Sequence, residues 1–296
     1  MARAFVWRPD SVFLAAWIGT SGPTGKSRSK TVGPEGIHGN RNMLKEEKKD
    51  HIFQITIDTN QTNSLDNHAF AAIAKSLGKV REDPSVKVVV ITGQGDKFFS
   101  NGFEPTMFLE KSFQEVCELL GPAMDATSAL LTFPKPVVSF INGHCMGVGS
   151  VLAIFTDYRI MIDGKARFGF PESQIGINFP SVPGFVLKEL VGIRNARSIL
   201  FSGRPMKAPE ALQVGVIDEA VSAEDAPKRL EKYCNQFKDM AMESVIGIKK
   251  SLVDYLRAPL EELRQTDTEE LARAIVSENG QEGMRSIVER RRPVFK

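Results

Sequence analysis

The chain has little cysteine, tryptophan or tyrosine, with three, two and three residues of each among 296. Cys117, Cys145 and Cys234 lie far apart with no C-x-x-C spacing. That pattern argues against a disulfide framework and a structural zinc site, and it fits a reducing compartment. Also missing is any apolar run near the roughly 20 residues that span a bilayer. Net charge is nearly absent as well, with 38 basic residues against 36 acidic, and overall basicity gives no reason to expect a nucleic-acid partner.

What remains is ordinary for a folded protein: 42% hydrophobic and 25% charged residues, in a chain long enough for a large core. The charge is unevenly placed. Arg3, Arg8, Lys26, Arg28, Lys30 and Arg41 face only Asp10 and Glu35 in residues 1–42, a surplus of four, so the remainder carries a deficit of two. Those 42 residues also hold 6 Gly, 3 Pro and 7 Ser/Thr and show no amphipathic period after Gly19, which reads as a disordered basic extension. Three origins fit it: a start placed upstream of Met43, an organelle-targeting segment around residues 12–19, or a genuine tail. The matching locations are the cytoplasm or, with a targeting segment, a mitochondrial or peroxisomal matrix.

From Met43 the pattern turns regular. Strands are expected at 52–57, 86–92, 137–141 and 158–162, the last followed by a hairpin at Asp163-Gly164. Helices are expected at 66–80 behind an Asp66 cap, at 114–131 and at 147–155. Strands alternating with helices indicate an α/β architecture. After Pro183 the signal is almost wholly helical, at 185–191, 195–201, 208–214, 226–240, 244–256, 260–277 and 280–291. The expected division is an extension over 1–42, a core over 43–240 and a helical region over 241–296.

Three segments put glycine where a strand meets a helix or turn, the places where main-chain N–H groups can face an anion. They are residues 98–104 (FFSNGFE), 142–149 (NGHCMGVG) and 168–173 (FGFPES). Neither of the first two is G-x-G-x-x-G or G-x-x-x-x-G-K-[ST], so they do not carry a nucleotide-cofactor signature. Ser150 lacks a recognisable elbow with His and Asp partners, which disfavours a serine hydrolase. His144 and Cys145 are neighbours at a strand end and point to opposite faces, as core residues do.

Taken together the segments resemble the crotonase (enoyl-CoA hydratase/isomerase) superfamily. The resemblance is carried by residues 88–104 (VVVITGQGDKFFSNGFE), 135–149 (KPVVSFINGHCMGVG), 157–161 (DYRIM), 166–180 (ARFGFPESQIGINFP), 201–221 (FSGRPMKAPEALQVGVIDEAV) and 277–296 (SENGQEGMRSIVERRRPVFK). It runs in order from about His51 to Lys296. It implies a crotonase-type spiral of ββα repeats with a helical C-terminal trimerisation region, and a homotrimer or hexamer. It also implies an acyl-CoA thioester substrate from lipid and fatty-acid metabolism, with no metal and no cofactor beyond the coenzyme A of the substrate.

The same resemblance implies site residues. The main-chain N–H groups of Phe103 and Val148 form the oxyanion hole, and Glu172 is the catalytic carboxylate. Asn63, Ser64 and Leu65 match the loop whose backbone lies along coenzyme A, while Lys249, Lys250 and Phe295 match residues near its phosphates and adenine. A solvated helix face is the plainer reading of the two lysines and of Arg290–Arg292. Asp157 reads as a structural tie between a helix end and the next strand. Phe103, Met107, Phe108, Met124 and Phe179 are candidate walls for the acyl chain.

Hydratases of this family carry two glutamates, and the position of the first is Val151 here. One base alone still suits a Δ3-Δ2-enoyl-CoA isomerase, which takes a proton from one carbon and returns it two carbons along. The further acid of a dienoyl-CoA isomerase would fall at Pro180, which disfavours that branch. Apolar neighbours such as Val151, Phe170 and Ile175 are expected to raise the Glu172 pKa toward neutrality. A hydratase-like or other reaction on coenzyme A thioesters, and an inactive acyl-CoA-binding scaffold, remain as alternatives.

Overall fold

A computed structural model describes residues 43–296; the expectations for the first 42 residues lie outside the described residues. Strands β1 (Leu44–Lys49) and β2 (Ile52–Ile57) pair antiparallel across a turn in which Asp50 takes φ 52°. Helix α1 (Asn67–Val80) begins where the Asp66 carboxylate accepts the Ala69 N–H, and it buries Phe70, Ile73 and Leu77 on one face. Such a cap satisfies one of the donors that every helix start leaves free.

Three successive turns then repeat one plan: a long strand, a short strand and a helix. The first is β3 (Val88–Gly93), β4 (Phe98–Ser100) and α2 (Phe113–Leu131). The second is β5 (Val137–Ile141), β6 (His144–Met146) and α3 (Val148–Ile154). The third is β7 (Tyr158–Ile162), β8 (Phe168–Gly169) and α4 (Ser181–Ser202). Long strands join a six-stranded sheet in the order β1-β2-β3-β5-β7-β9, parallel except at β1, and short strands form a parallel sheet β4-β6-β8. Strand β9 (Glu219–Val221) follows the short helix α5 (Ala208–Val214).

Close backbone approaches demand glycine at equivalent corners, within the first repeat at Gly93 and between it and the second at Gly143. A Cβ on Gly93 would lie 2.2 Å from the Phe98 carbonyl oxygen, and one on Gly143 would lie 2.3 Å from the Lys97 carbonyl carbon. Neither approach leaves room for a side chain. The central strands β3 and β5 are buried on both faces, so they read as apolar runs and not as alternation.

The remaining helices are α6 (Ala226–Asn235), α7 (Met242–Val253), α8 (Arg257–Val276) and α9 (Glu278–Val288). Helices α8 and α9 fold back on α2 and share a core with it: Val116, Leu120, Leu271, Ile275 and Met284 pack with Phe108 and Ile175. This is the α/β crotonase architecture, a ββα spiral with a C-terminal helical bundle.

Several boundaries differ from expectation. Asp163-Gly164 closes no hairpin, because β7 and β8 belong to different sheets and the turn carries the chain between them. The two helices expected over 185–201 are present as two segments that break at Gly192, with φ 73° and ψ 156°, and only the start differs, at Ser181 and not at residue 185. The helix expected to reach residue 240 stops at Asn235.

Candidate active site

Two loops and a turn from successive repeats meet at one end of the spiral. The first loop is held from below. Leu65 N–H donates to the Gly102 carbonyl at 2.8 Å, and Glu104 N–H donates to the Leu65 carbonyl at 2.9 Å. In that parallel bridge the flanking peptides are used and the Phe103 N–H points away from Leu65. Gly102, at φ 91°, makes the bend, and its N–H is held by Ser100 Oγ at 3.2 Å.

The second loop ends at Gly147, whose φ of 54° and ψ of −129° turn β6 into α3. Val148 is the first residue of that helix, so its N–H has no partner within the helix. Neither the Phe103 nor the Val148 amide donates to another group among the described residues. The two loops abut: a Cβ on Gly102 would sit 3.6 Å from the Val148 nitrogen. A Cβ on Gly147 would sit 3.8 Å from Glu172 Oε1, so the carboxylate faces the same loop.

Glu172 opens a single 3-10 turn after Pro171, and its carbonyl accepts the Ile175 and Ile177 N–H groups, both at 3.1 Å. The residue is half-buried, but its Oε2 is closed off from solvent and accepts no hydrogen bond among the described residues. Burial in these surroundings pushes its pKa up to about 8, with its own backbone N–H acting slightly in the opposite direction.

The Phe103, Val148 and Glu172 groups open on one apolar pocket of about 1010 Å³, its open mouth included. Val151 of α3 and Phe155 just after it, Met124 of α2, and Leu271 of α8 form its walls. Of the expected acyl-chain residues Phe103 and Met124 line it, Phe179 lines a neighbouring pocket beside Glu172, and Phe108 lies in the core beneath. Met107 packs against that same core.

The residues expected at coenzyme A are dispersed. All six main-chain groups of Asn63, Ser64 and Leu65 are hydrogen-bonded within the chain, and their side chains are buried. This segment therefore braces Phe103. Lys249 corrects the expectation most plainly: its ammonium is buried, 2.6 Å from Asp157 and 2.9 Å from the Lys135 carbonyl, and it is spent inside the fold. Lys250, by contrast, is exposed and lies 3.8 Å from Asp254. Phe295 packs its ring on Gly176, four residues beyond Glu172, while half-exposed. Asp157 also accepts the Val137 N–H at 2.7 Å, so it ties the end of α3 to β5. Cys145 is buried in the core and His144 Nδ1 accepts the Arg167 N–H, which matches their packing roles.

Sequence reasoning passed over three supports of the site. Gly283 on α9 lets the helix backbone press on the Glu172 turn, since a Cβ there would meet the Ile175 carbonyl at 1.9 Å. Asp267 and Arg264 of α8 both line the pocket, and Asp267 accepts the Ser181 N–H at 2.9 Å. No motif announces a wall built from a helix nearly a hundred residues downstream.

Among the described residues no group of three or more His, Cys, Asp or Glu is placed to hold a metal, and the three cysteines are free thiols. No described helix is long and apolar enough to cross a membrane.

A ββα spiral with a two-amide hole facing one carboxylate defines a crotonase-fold enzyme. Solved structures show the same fold. Human mitochondrial Δ3-Δ2-enoyl-CoA isomerase superposes with a TM-score of 0.80 at 24% identity, covering 84% of this chain and 98% of that one. An enoyl-CoA hydratase from Bacillus halodurans does so with a TM-score of 0.75 at 21% identity, covering 83% and 100%. Among curated proteins, a carnitinyl-CoA dehydratase from Salmonella heidelberg is 28% identical over 250 residues, 83% of this chain and 95% of its own length. The enoyl-CoA hydratase/isomerase family model matches residues 47–296, and the chain belongs to that family, whose members act on acyl-CoA thioesters.

Proposed function

We propose that the protein isomerises 3-enoyl-CoA to 2-enoyl-CoA by a proton shuttle on Glu172. The observation that carries this reading is a single catalytic carboxylate facing the hole formed by two amides, with Val151 in the wall where a second acid would hold water. The Phe103 and Val148 N–H groups receive the thioester oxygen. Glu172 in its carboxylate form takes a proton from C2, and the electron pair moves into the thioester, placing negative charge on that oxygen. Each preorganised donor in a dry site lowers such a barrier by about 3 kcal/mol. The α3 dipole acts in the same sense at Val148. Protonated Glu172 then returns its proton to C4, the double bond shifts from C3–C4 to C2–C3, and the carboxylate is restored.

Burial favours the protonated acid between the two transfers, and Oε2, unpaired in the chain, leaves the carboxylate free to reach both carbons. Asn63, Ser64 and Leu65 support the first amide, and Lys250 and Phe295 are our candidates for contact with the coenzyme A moiety. The protein is proposed to work as a homotrimer or hexamer; light scattering returning a monomer mass at working concentration would contradict this.

A second reading, hydration or dehydration, is favoured by the similarity to carnitinyl-CoA dehydratases. One paired assay separates the two. The expected result is turnover of 3-enoyl-CoA that Glu172→Gln lowers by about a hundredfold or more, with little hydration of 2-enoyl-CoA. Rapid hydration by the native enzyme, or undiminished isomerisation in the variant, would overturn the assignment. Tight acyl-CoA binding with turnover of neither substrate would point to a scaffold.

A further inference from the structure

The pocket that starts at Glu172 runs between two antiparallel helices. Phe113 near the start of α2 lies against Arg273 near the end of α8, while Asp125, further along α2, pairs with Arg264, earlier on α8. Leu271 of α8 packs in the same cluster as Ile175, three residues from Glu172. Seven residues back along α8 stands Arg264, about 10 Å further from that cluster at the helical rise. Both Arg264 and its α2 neighbours Met124, Thr127 and Ser128 line the pocket. An acyl tail leading away from Glu172 therefore travels along the α2–α8 seam.

Arg264 crosses that seam. Its Nη2 lies 2.8 Å from Asp125 Oδ1 and 3.4 Å from the Gly121 carbonyl, both on α2. The pair faces solvent on its outer side, with 39% of the Arg264 side chain and 62% of that of Asp125 exposed. Beside it, Phe155, Leu260 and Leu271 are among the apolar residues that line the pocket. A charged bridge thus closes the outer side of an apolar channel, where an exposed ion pair is cheap to open.

We propose that the Arg264–Asp125 ion pair is a latch across the α2–α8 seam that sets the preferred acyl length. Tails that end before the pair are enclosed behind it. Longer tails must part the two side chains and leave between the helices. The proposal rests on the isomerase reading for its natural substrate, but the latch itself concerns binding of any acyl-CoA. Opening the pair opposes long chains, and the added methylenes gain only the burial that the channel offers before they reach water.

The test is a chain-length series, 3-hexenoyl-, 3-decenoyl- and 3-hexadecenoyl-CoA, assayed with the native protein, Asp125→Asn and Arg264→Met. Each variant is expected to raise the ratio of kcat/KM for the longest over the shortest substrate by about fivefold, about 1 kcal/mol. High salt should move the native ratio the same way and leave the variants unmoved, since screening acts on the pair and not on apolar bulk. Calorimetric binding of the saturated acyl-CoA series is the companion readout. Equal length profiles in all three proteins, by turnover and by binding, would overturn the latch even if isomerisation stands. A shift in the binding profile with no isomerisation of any chain would retain the latch and reject the isomerase reading.

Discussion

Glu172 combines two properties that rarely coexist in a surface carboxylate: a reachable position at a pocket and a carboxyl oxygen cut off from water and hydrogen-bond donors. Burial raises its pKa to about 8, whereas the unfolded chain ionises it near the ordinary value of 4.5. Between those values the unfolded state gives up a proton that the folded state keeps. The stability contribution of this group is therefore fully present below about pH 4.5 and is lost as pH rises through about 8. Replacing Glu172 by Gln should flatten the pH dependence of the urea midpoint across that window; parallel curves for both proteins would show that the carboxyl is not held neutral. Catalysis has the opposite sign, because the base must be ionised. The kcat/KM profile should climb with pH toward an inflection near 8. At this scale the sequence was informative. Glu172 and the two glycine bends stand in recognisable segments, and the substitution of valine at position 151 is visible without coordinates.

At the scale of elements, the site depends on how helices from the end of the chain grip the Glu172 turn. Asp267 on α8 accepts the N–H groups of Ser181 and Val182 at 2.9 and 3.3 Å, which anchors the start of α4. Gly283 on α9 presses from the other side. Removing the anchor by Asp267→Ala should cost about 1–2 kcal/mol in urea unfolding, the range for losing a helix cap, and should lower kcat/KM because α4 forms part of the pocket wall. An unchanged unfolding midpoint would show that the contact is dispensable. The cap escaped the sequence reading because its carboxylate comes from residue 267 and not from a residue beside the helix. Short strands β4, β6 and β8 escaped for a related reason: two or three residues carry no period, and only pairing with one another defines them. Elements such as β5 and α5 kept their expected bounds, since their apolar pattern or turn residues are local.

For the whole molecule, the spiral explains why distant motifs form one centre. Each repeat delivers its glycine corner to the same end, so residues 102, 147 and 172 converge although some seventy positions separate them. The charge expected at coenzyme A was misjudged at Lys249 because a doublet in a helix looks alike whether one member is exposed or both are. Only the fold shows that Lys249 turns inward to Asp157 while Lys250 faces water. The near-absence of net charge hides local detail: some charged groups of the described chain pair, on the surface as Arg264 does with Asp125 or inside as Lys249 does with Asp157, while burial pushes the Glu172 carboxyl toward its neutral form. The most direct test of that carboxyl follows a label. With 3-enoyl-CoA carrying deuterium at C2, a shuttle on Glu172 predicts deuterium at C4 of the 2-enoyl-CoA product, and loss of that transfer in Glu172→Gln. A product whose C4 hydrogen comes wholly from solvent, formed equally fast by the variant, would contradict the single-base account.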